Sequence, residues 1–161
     1  MQKGFDPVYT AGSRALILGT WPSPRSFEMG FYYGHPQNRF WPLIARLTGH
    51  PIPVTIPEKK AIITENHLAL WDTIESCDII GASDASIRNI ELRDICRIIS
   101  ETKIEAVFCN GAKAFDVYMK YQYPKTGIAA VRLPSTSPAN AAFSLDRLEA
   151  EWSVIKRYIG L

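Results

Sequence analysis

Four short apolar runs, separated by stretches of helical period, leave few architectures open to this chain. They are residues 14–20 (RALILGT), 67–72 (HLALWD), 103–109 (KIEAVFC) and 128–133 (IAAVRL). The first, ending in Gly, reads as a buried strand feeding a loop, and the other three read as further strands. The segments between them read as helices. FWPLIARLT, residues 40–48, stops at Gly49 and carries Pro42 in its first turn, where a missing N–H costs little. Residues 58–66 follow Pro57, and ELRDICRIISETK places apolar residues at 92, 95, 98 and 99. Asn110 and Gly111 open a helix to about Tyr121, and Ser144 caps a last one with Leu148, Trp152, Ile155 and Ile159 on its inner face. Strands alternating with helices predict an α/β fold, a three-layer α/β/α sandwich around a central, mostly parallel four-stranded sheet. With 161 residues, the chain is expected to form a single domain over 1–161.

In sheets of this kind, ligands bind beyond the carboxyl ends of the strands. Here those ends are residues 19–38, 72–89, Asn110 and 134–140, and the four segments are expected to converge on one site. The first holds Pro22, Pro24, Gly30, Gly34 and Pro36 and reads as a long loop, a length that is usually functional. Residues 73–90 read as a second loop and PSTSPAN as a third.

The net charge of +2 excludes a histone-like or arm-type nucleic-acid binder, but its distribution is uneven. Residues 1–57 hold five cations against two anions, net +3, and residues 58–105 hold six against ten, net −4. Residues 106–145 hold four against one, again net +3. Seven of the eighteen aromatics fall between positions 21 and 41. An aromatic-rich, mildly basic segment suits stacking on a base beside a phosphate backbone, and it equally suits a loop that lines a core. Cys77, Cys96 and Cys109 form no CxxC pair, and His35, His50 and His67 are scattered, so neither disulfides nor a metal is expected. The first ten residues lack an apolar signal core, and no run reaches membrane-spanning length. A soluble cytoplasmic protein with reduced cysteines is expected.

LGTWPSPRSFEMGFYYGHPQNRFW, residues 18–41, resembles the first motif of the uracil-DNA glycosylase superfamily. It is closest to the mismatch-specific and hypoxanthine-DNA glycosylase branches, where a Gly-x-x-Pro loop precedes His-Pro-x-Asn-x-Phe-Trp. LPSTSPAN, residues 133–140, is similar to the superfamily's final, DNA-inserting motif, and residues 69–89 resemble the hypoxanthine-type branch. Together the three segments cover about a third of the chain, in the expected order. The resemblance implies a monofunctional DNA glycosylase of base excision repair, hydrolysing the N-glycosidic bond of a deaminated base. Hypoxanthine from deoxyinosine is first among the candidates, with uracil or mismatched thymine as the alternative. It also implies a monomer with DNA as partner and no cofactor.

Such chemistry makes physical demands. A base inside a duplex must be flipped out at a cost of a few kcal/mol, then stacked and read in a pocket while a wedge fills the gap. Bond cleavage passes through an oxocarbenium-like sugar and needs a positioned water and support for the departing base. The resemblance places the base pocket at Gly19, Thr20, Trp21, Pro22, Tyr33 and Asp72, with Tyr33 as the stacking aromatic and Tyr32 as a second candidate. Trp21 stands where the mismatch branch carries its catalytic Asn. Asn38, the Asn of His-Pro-x-Asn, is therefore the catalytic candidate, orienting water through its amide oxygen, or else a cap for the 40–48 helix. Ser23 replaces the usual Gly after the loop proline, and the motif holds no carboxylate base, which predicts slow catalysis. Asp72 either accepts from a base N–H or caps the next segment; Asn89 and Asn110 either read the base or turn the chain. Ser135, Thr136 and Ser137 resemble phosphate-clamping hydroxyls, and Pro138, Ala139 and Asn140 the wedge tip. Arg39, Lys113 and Lys125 are candidate phosphate contacts or solvated surface charges. A nonenzymatic binder of damaged or single-stranded DNA, using the same pocket, is the reading from a different class. A nucleotide-binding protein has no GxGxxG or Walker loop to support it.

Overall fold

A computed structural model of the chain describes residues 2–79 and 87–159. The four apolar runs become the strands β2 (Ala15–Gly19), β3 (Leu68–Asp72), β6 (Ala106–Asn110) and β7 (Ala130–Leu133), in the spatial order β3-β2-β6-β7. All three pairings are parallel, and β7, at the edge of the sheet, leaves Val131 and Arg132 exposed. Every residue of β2 and β3 is buried. The connection from β2 runs outward to β3, whereas those from β3 to β6 and from β6 to β7 run the other way. Right-handed crossovers in opposite directions put their helices on opposite faces, which yields the layered α/β sandwich. α2 (Phe40–Thr48) and α3 (Ile56–Thr64) belong to the first crossover, α4 (Ile95–Ser100) to the second and α5 (Ala112–Val117) to the third. α7 (Leu145–Trp152) packs on α2.

Local chemistry sets the helix ends. Thr55 and Glu58 form a reciprocal capping box that starts α3 at Ile56, two residues earlier than the expected start after Pro57. Ser144 caps α7 by accepting from the Arg147 N–H, and the last helical turns then tighten into a 3₁₀ segment, Ser153–Tyr158. The helix expected to run to about Tyr121 is α5 followed by a π-helical turn, Tyr118–Gln122, and by α6 (Tyr123–Thr126). The wider turn leaves Gln122 buried, with its Nε2 donating to the carbonyls of Thr73 and Arg93 at 3.0 and 3.1 Å.

Two loop expectations require correction. The stretch 21–38 contains α1 (Pro24–Met29), capped by the Ser23 side chain and closed by Gly30 in the left-handed region at φ 79. Ser23-Pro24 is thus a helix start, a cap followed by proline, in a helix too short to show a period. Residues 73–90 are not a loop. β4 (Ile74–Ile79) and β5 (Ile87–Leu92) pair antiparallel and, with β1 (Gln2–Lys3), make a second three-stranded sheet. Register shifts between Ile74 and Ser76 and between Ser76 and Asp78 break the alternation that would have announced β4. Asn89 falls on β5, and its side chain, like residues 80–86, lies outside the described residues.

Candidate active site

Between β2 and β6 the chain connections part in opposite directions, and at such a switch point the strand ends leave a crevice. An open cavity of about 860 Å³ occupies it. Gly19, Asp72, Asn110 and the segment from Leu133 to Ser137 line it, so all four strand ends converge there as the sequence predicts. Thr20, Trp21, Pro22, Tyr33, Asn38, Ala139 and Asn140 also line it, whereas Pro138 does not.

Gly19 is required here by proximity. A Cβ at this position would stand 2.5 Å from Asp72 Oδ1 and 2.7 Å from the Tyr33 hydroxyl. Tyr33 adopts φ 52, rare for a non-glycine residue, and its ring stacks on Phe40 at 4.2 Å between centroids. Its hydroxyl is buried beside the Asn110 side chain, and burial, with the Asp72 charge nearby, raises its pKa against the opposing pull of Asn110. The Asp72 side chain is 3% exposed with Oδ2 unpartnered, and burial pushes its carboxyl up to about 7 against the opposing pull of Arg93. Trp21 rests on Phe27, and its buried Nε1 has no hydrogen-bond partner.

The hydrogen bonds of Asn38 decide which of its atoms is available for chemistry. Its Oδ1 accepts from the Phe40 N–H at 3.0 Å, one residue ahead of the N-cap Arg39, and from the Thr136 hydroxyl at 2.9 Å. Both carbonyl lone pairs are taken, so the amide oxygen has no place left for a water, contrary to the expectation. The Nδ2 arm is the group left to act. Thr136 is fully buried and accepts from Asn110 Nδ2 at 3.0 Å, while its N–H donates to Asn110 Oδ1 at 3.0 Å. Asn110, Thr136 and Asn38 thus form one directed chain in which each bond polarises the next. Thr136 is not a phosphate clamp, because its hydroxyl is spent inside this network. Pro42, as the third residue of α2, falls among the first four positions, whose N–H groups need no intrahelical acceptor.

Arg39 is neither a solvated charge nor free for a phosphate. Its guanidinium donates to the carbonyls of Thr136, Ser137 (2.8 Å), Asn140 (3.1 Å) and Phe143, drawing the 134–143 segment around a single cation. Ser135 and Ser137 accept from the N–H groups of Ser137 and Ala139, which leaves their own O–H groups available. Ala139 is exposed at the tip. Lys113 lines the cavity and is exposed, Lys125 is exposed away from it, and Arg132 joins the lining without having been singled out in the sequence. Tyr32 is 2% exposed, its hydroxyl donating to the carbonyls of Phe5 and Asp6, which makes it a core residue. The aromatic cluster therefore divides. Phe31, Phe40 and Trp41 are core, Trp21 and Tyr33 face the cavity, and Tyr32, buried in the same core, also borders it. Among the described residues no three His, Cys, Asp or Glu side chains gather as a metal site, and no helix is long and apolar enough to cross a membrane.

Comparison with known proteins agrees with this geometry. A Methanosarcina acetivorans protein named hypoxanthine DNA glycosylase is 31% identical over 162 residues, 98% of this chain and 99% of its own. A Methanosarcina barkeri protein of the same name is 28% identical over 115 residues, 70% and 73% of the two chains. The solution NMR structure of a Methanosarcina acetivorans protein, titled as a candidate uracil DNA glycosylase, superposes with a TM-score of 0.82 at 31% identity, covering 96% of each chain. Residues 7–157 match the uracil DNA glycosylase superfamily, and with that match spanning almost the whole chain and the cavity at its switch point, the protein belongs to that superfamily.

Proposed function

We propose that the protein is a monofunctional DNA glycosylase of base excision repair that releases hypoxanthine from deoxyinosine by hydrolysis of the N-glycosidic bond. The observation that carries this reading is the cavity in which the unpartnered Asp72 carboxyl, the Tyr33 ring and the Asn38 amide meet at the sheet's switch point. The full-length likeness to a protein named for hypoxanthine supports the choice of base. Phe40 backs the Tyr33 ring on one face, so a flipped base stacks on the other. Gly19, Thr20, Trp21 and Pro22 wall the base pocket, and Asp72 reads the base edge from its floor. Ser135 and Ser137 offer hydroxyls to phosphates, while Pro138, Ala139 and Asn140 form the wedge that Arg39 holds in shape. Asn38 acts through Nδ2–H, donating to the departing base where negative charge develops, in a site where such a donor is fixed before the reaction begins.

With Asp72 on the base edge and no carboxylate base in the first motif, turnover is slow. The protein works as a monomer in the cytoplasm, without metal or cofactor. The test is base release from duplexes carrying inosine, uracil, xanthine or a G·T mismatch, read as alkali-labile abasic sites. Release from inosine first, lost in Asn38→Ala with the fold and DNA binding intact, is the expected result. Release confined to uracil, or binding without release, defeats it.

A further inference from the structure

Asp72 carries an inference that rests on the glycosylase reading and goes beyond it. The carboxyl is buried at the end of β3, Oδ2 has no donor, and the side chain still borders the cavity. The cation that acts on it, Arg93, is committed elsewhere. Arg93 Nε donates to the Ile74 carbonyl at 3.3 Å and Nη2 to the Phe5 carbonyl at 2.7 Å, with the guanidinium 4.9 Å from the centre of the Trp71 ring. Tyr33 and Tyr32 also face Asp72, and Cys109 of β6 lies toward Tyr33; burial raises the pKa of all three, so none brings a charge. A buried carboxyl with neither a donor nor a bonded cation holds its proton more readily than one in water.

We infer that Asp72 reads the substrate as a neutral carboxylic acid, its C=O accepting from a ring N–H and its O–H donating to the adjacent ring carbonyl. The chemical class selected is therefore a cyclic lactam, an N–H beside a C=O. Deamination creates that edge on adenine and on cytosine, where an acceptor nitrogen stood beside an amino group. A carboxylate can accept from the N–H, but it sets a lone pair against the ring carbonyl, so ionised Asp72 loses half of the pair. Burial carries the group up to about 7, and recognition consequently fades across neutral pH. The neutral amide of asparagine has the same shape and the same donor and acceptor, without the titration.

Two measurements test this. In the first, the protein labelled at aspartate Cγ is titrated by ¹³C NMR, with Asp72→Asn identifying the resonance. A midpoint between about pH 6 and pH 8 supports the inference, and one below about pH 5 overturns it. In the second, single-turnover release from an inosine duplex is followed over the same range. The wild-type rate is expected to fall toward about tenfold per pH unit above the midpoint, while Asp72→Asn shows no such fall. A parallel fall in both proteins overturns the inference. Absence of release from every duplex by either protein defeats the glycosylase reading alone. The carboxyl resonance then still decides, using a duplex with non-cleavable 2′-fluoro-deoxyinosine: an upward shift of the midpoint on binding supports the lactam contact, and an unmoved midpoint overturns it.

Discussion

Thr136 shows how much one hydroxyl can hold. It donates to Asn38, accepts from Asn110 and is fully buried, so removing it strands two amide groups at once. Thr136→Val is expected to cost about 1–3 kcal/mol in denaturant unfolding and to slow base release beyond that loss, whereas Thr136→Ser restores both. Gly19→Ala is expected to cost a similar ~1–3 kcal/mol and to reduce release from inosine at least about tenfold, because its Cβ enters the space of Asp72 and Tyr33. Asp72 also links stability to pH. Its native carboxyl keeps a proton up to about 7, whereas in the unfolded chain it ionises at its ordinary value of 3.8. Raising the pH through that window withdraws protons from the unfolded state first, so stability falls as pH rises. The Tm of the wild type is expected to drop relative to Asp72→Asn across this range, as differential scanning calorimetry would read.

At the scale of elements, the 134–143 segment between β7 and α7 takes its shape from a residue on the other side of the cavity. Arg39, immediately before α2, replaces a run of loop–loop contacts by donating to four carbonyls. Arg39→Ala leaves the sheet intact and frees the segment, and ordering one or two residues again costs roughly 1–2 kcal/mol each. DNA affinity is expected to weaken about tenfold in anisotropy titrations, with little change in far-UV circular dichroism. The same economy appears at the π-helical turn, where Gln122 joins the end of β3 to the residue after β5. That pair of bonds fixes the second sheet against the first and keeps Thr73, beside Asp72, in place.

For the molecule as a whole, the uneven charge now has a location. The cavity lining includes Lys113 and Arg132, and the −4 segment from 58 to 105 includes α3, β3 and the second sheet, with only Asp72 among its residues reaching the cavity. On the proposed reading only these two cavity cations meet phosphates, and two such contacts release few counterions on binding. The plot of log affinity against log salt concentration is therefore expected to have a slope of only about −2, measured by anisotropy on an inosine duplex. A shallow dependence suits an enzyme that holds one flipped nucleotide and then leaves its product.

Strands β2, β3 and β6 were legible in the sequence because burial writes itself as an apolar run, and the carboxyl ends of the four strands located the cavity by topology alone. The family resemblance singled out Asn38, Tyr33 and Asp72, and they do meet at that cavity. Helix α1 and the β4–β5 pair were not legible, since six residues hold too little period and two register shifts erase alternation. Which atom of Asn38 remains free, that Thr136 points inward and that Arg39 serves carbonyls could not be read from the chain. Each depends on partners about a hundred positions away that only folding brings within hydrogen-bond reach. The apolar pattern determined where the site would lie, and the tertiary structure decided the direction of every hydrogen bond in it, because a residue's type limits what it can donate or accept while only its neighbours determine which of those bonds are used.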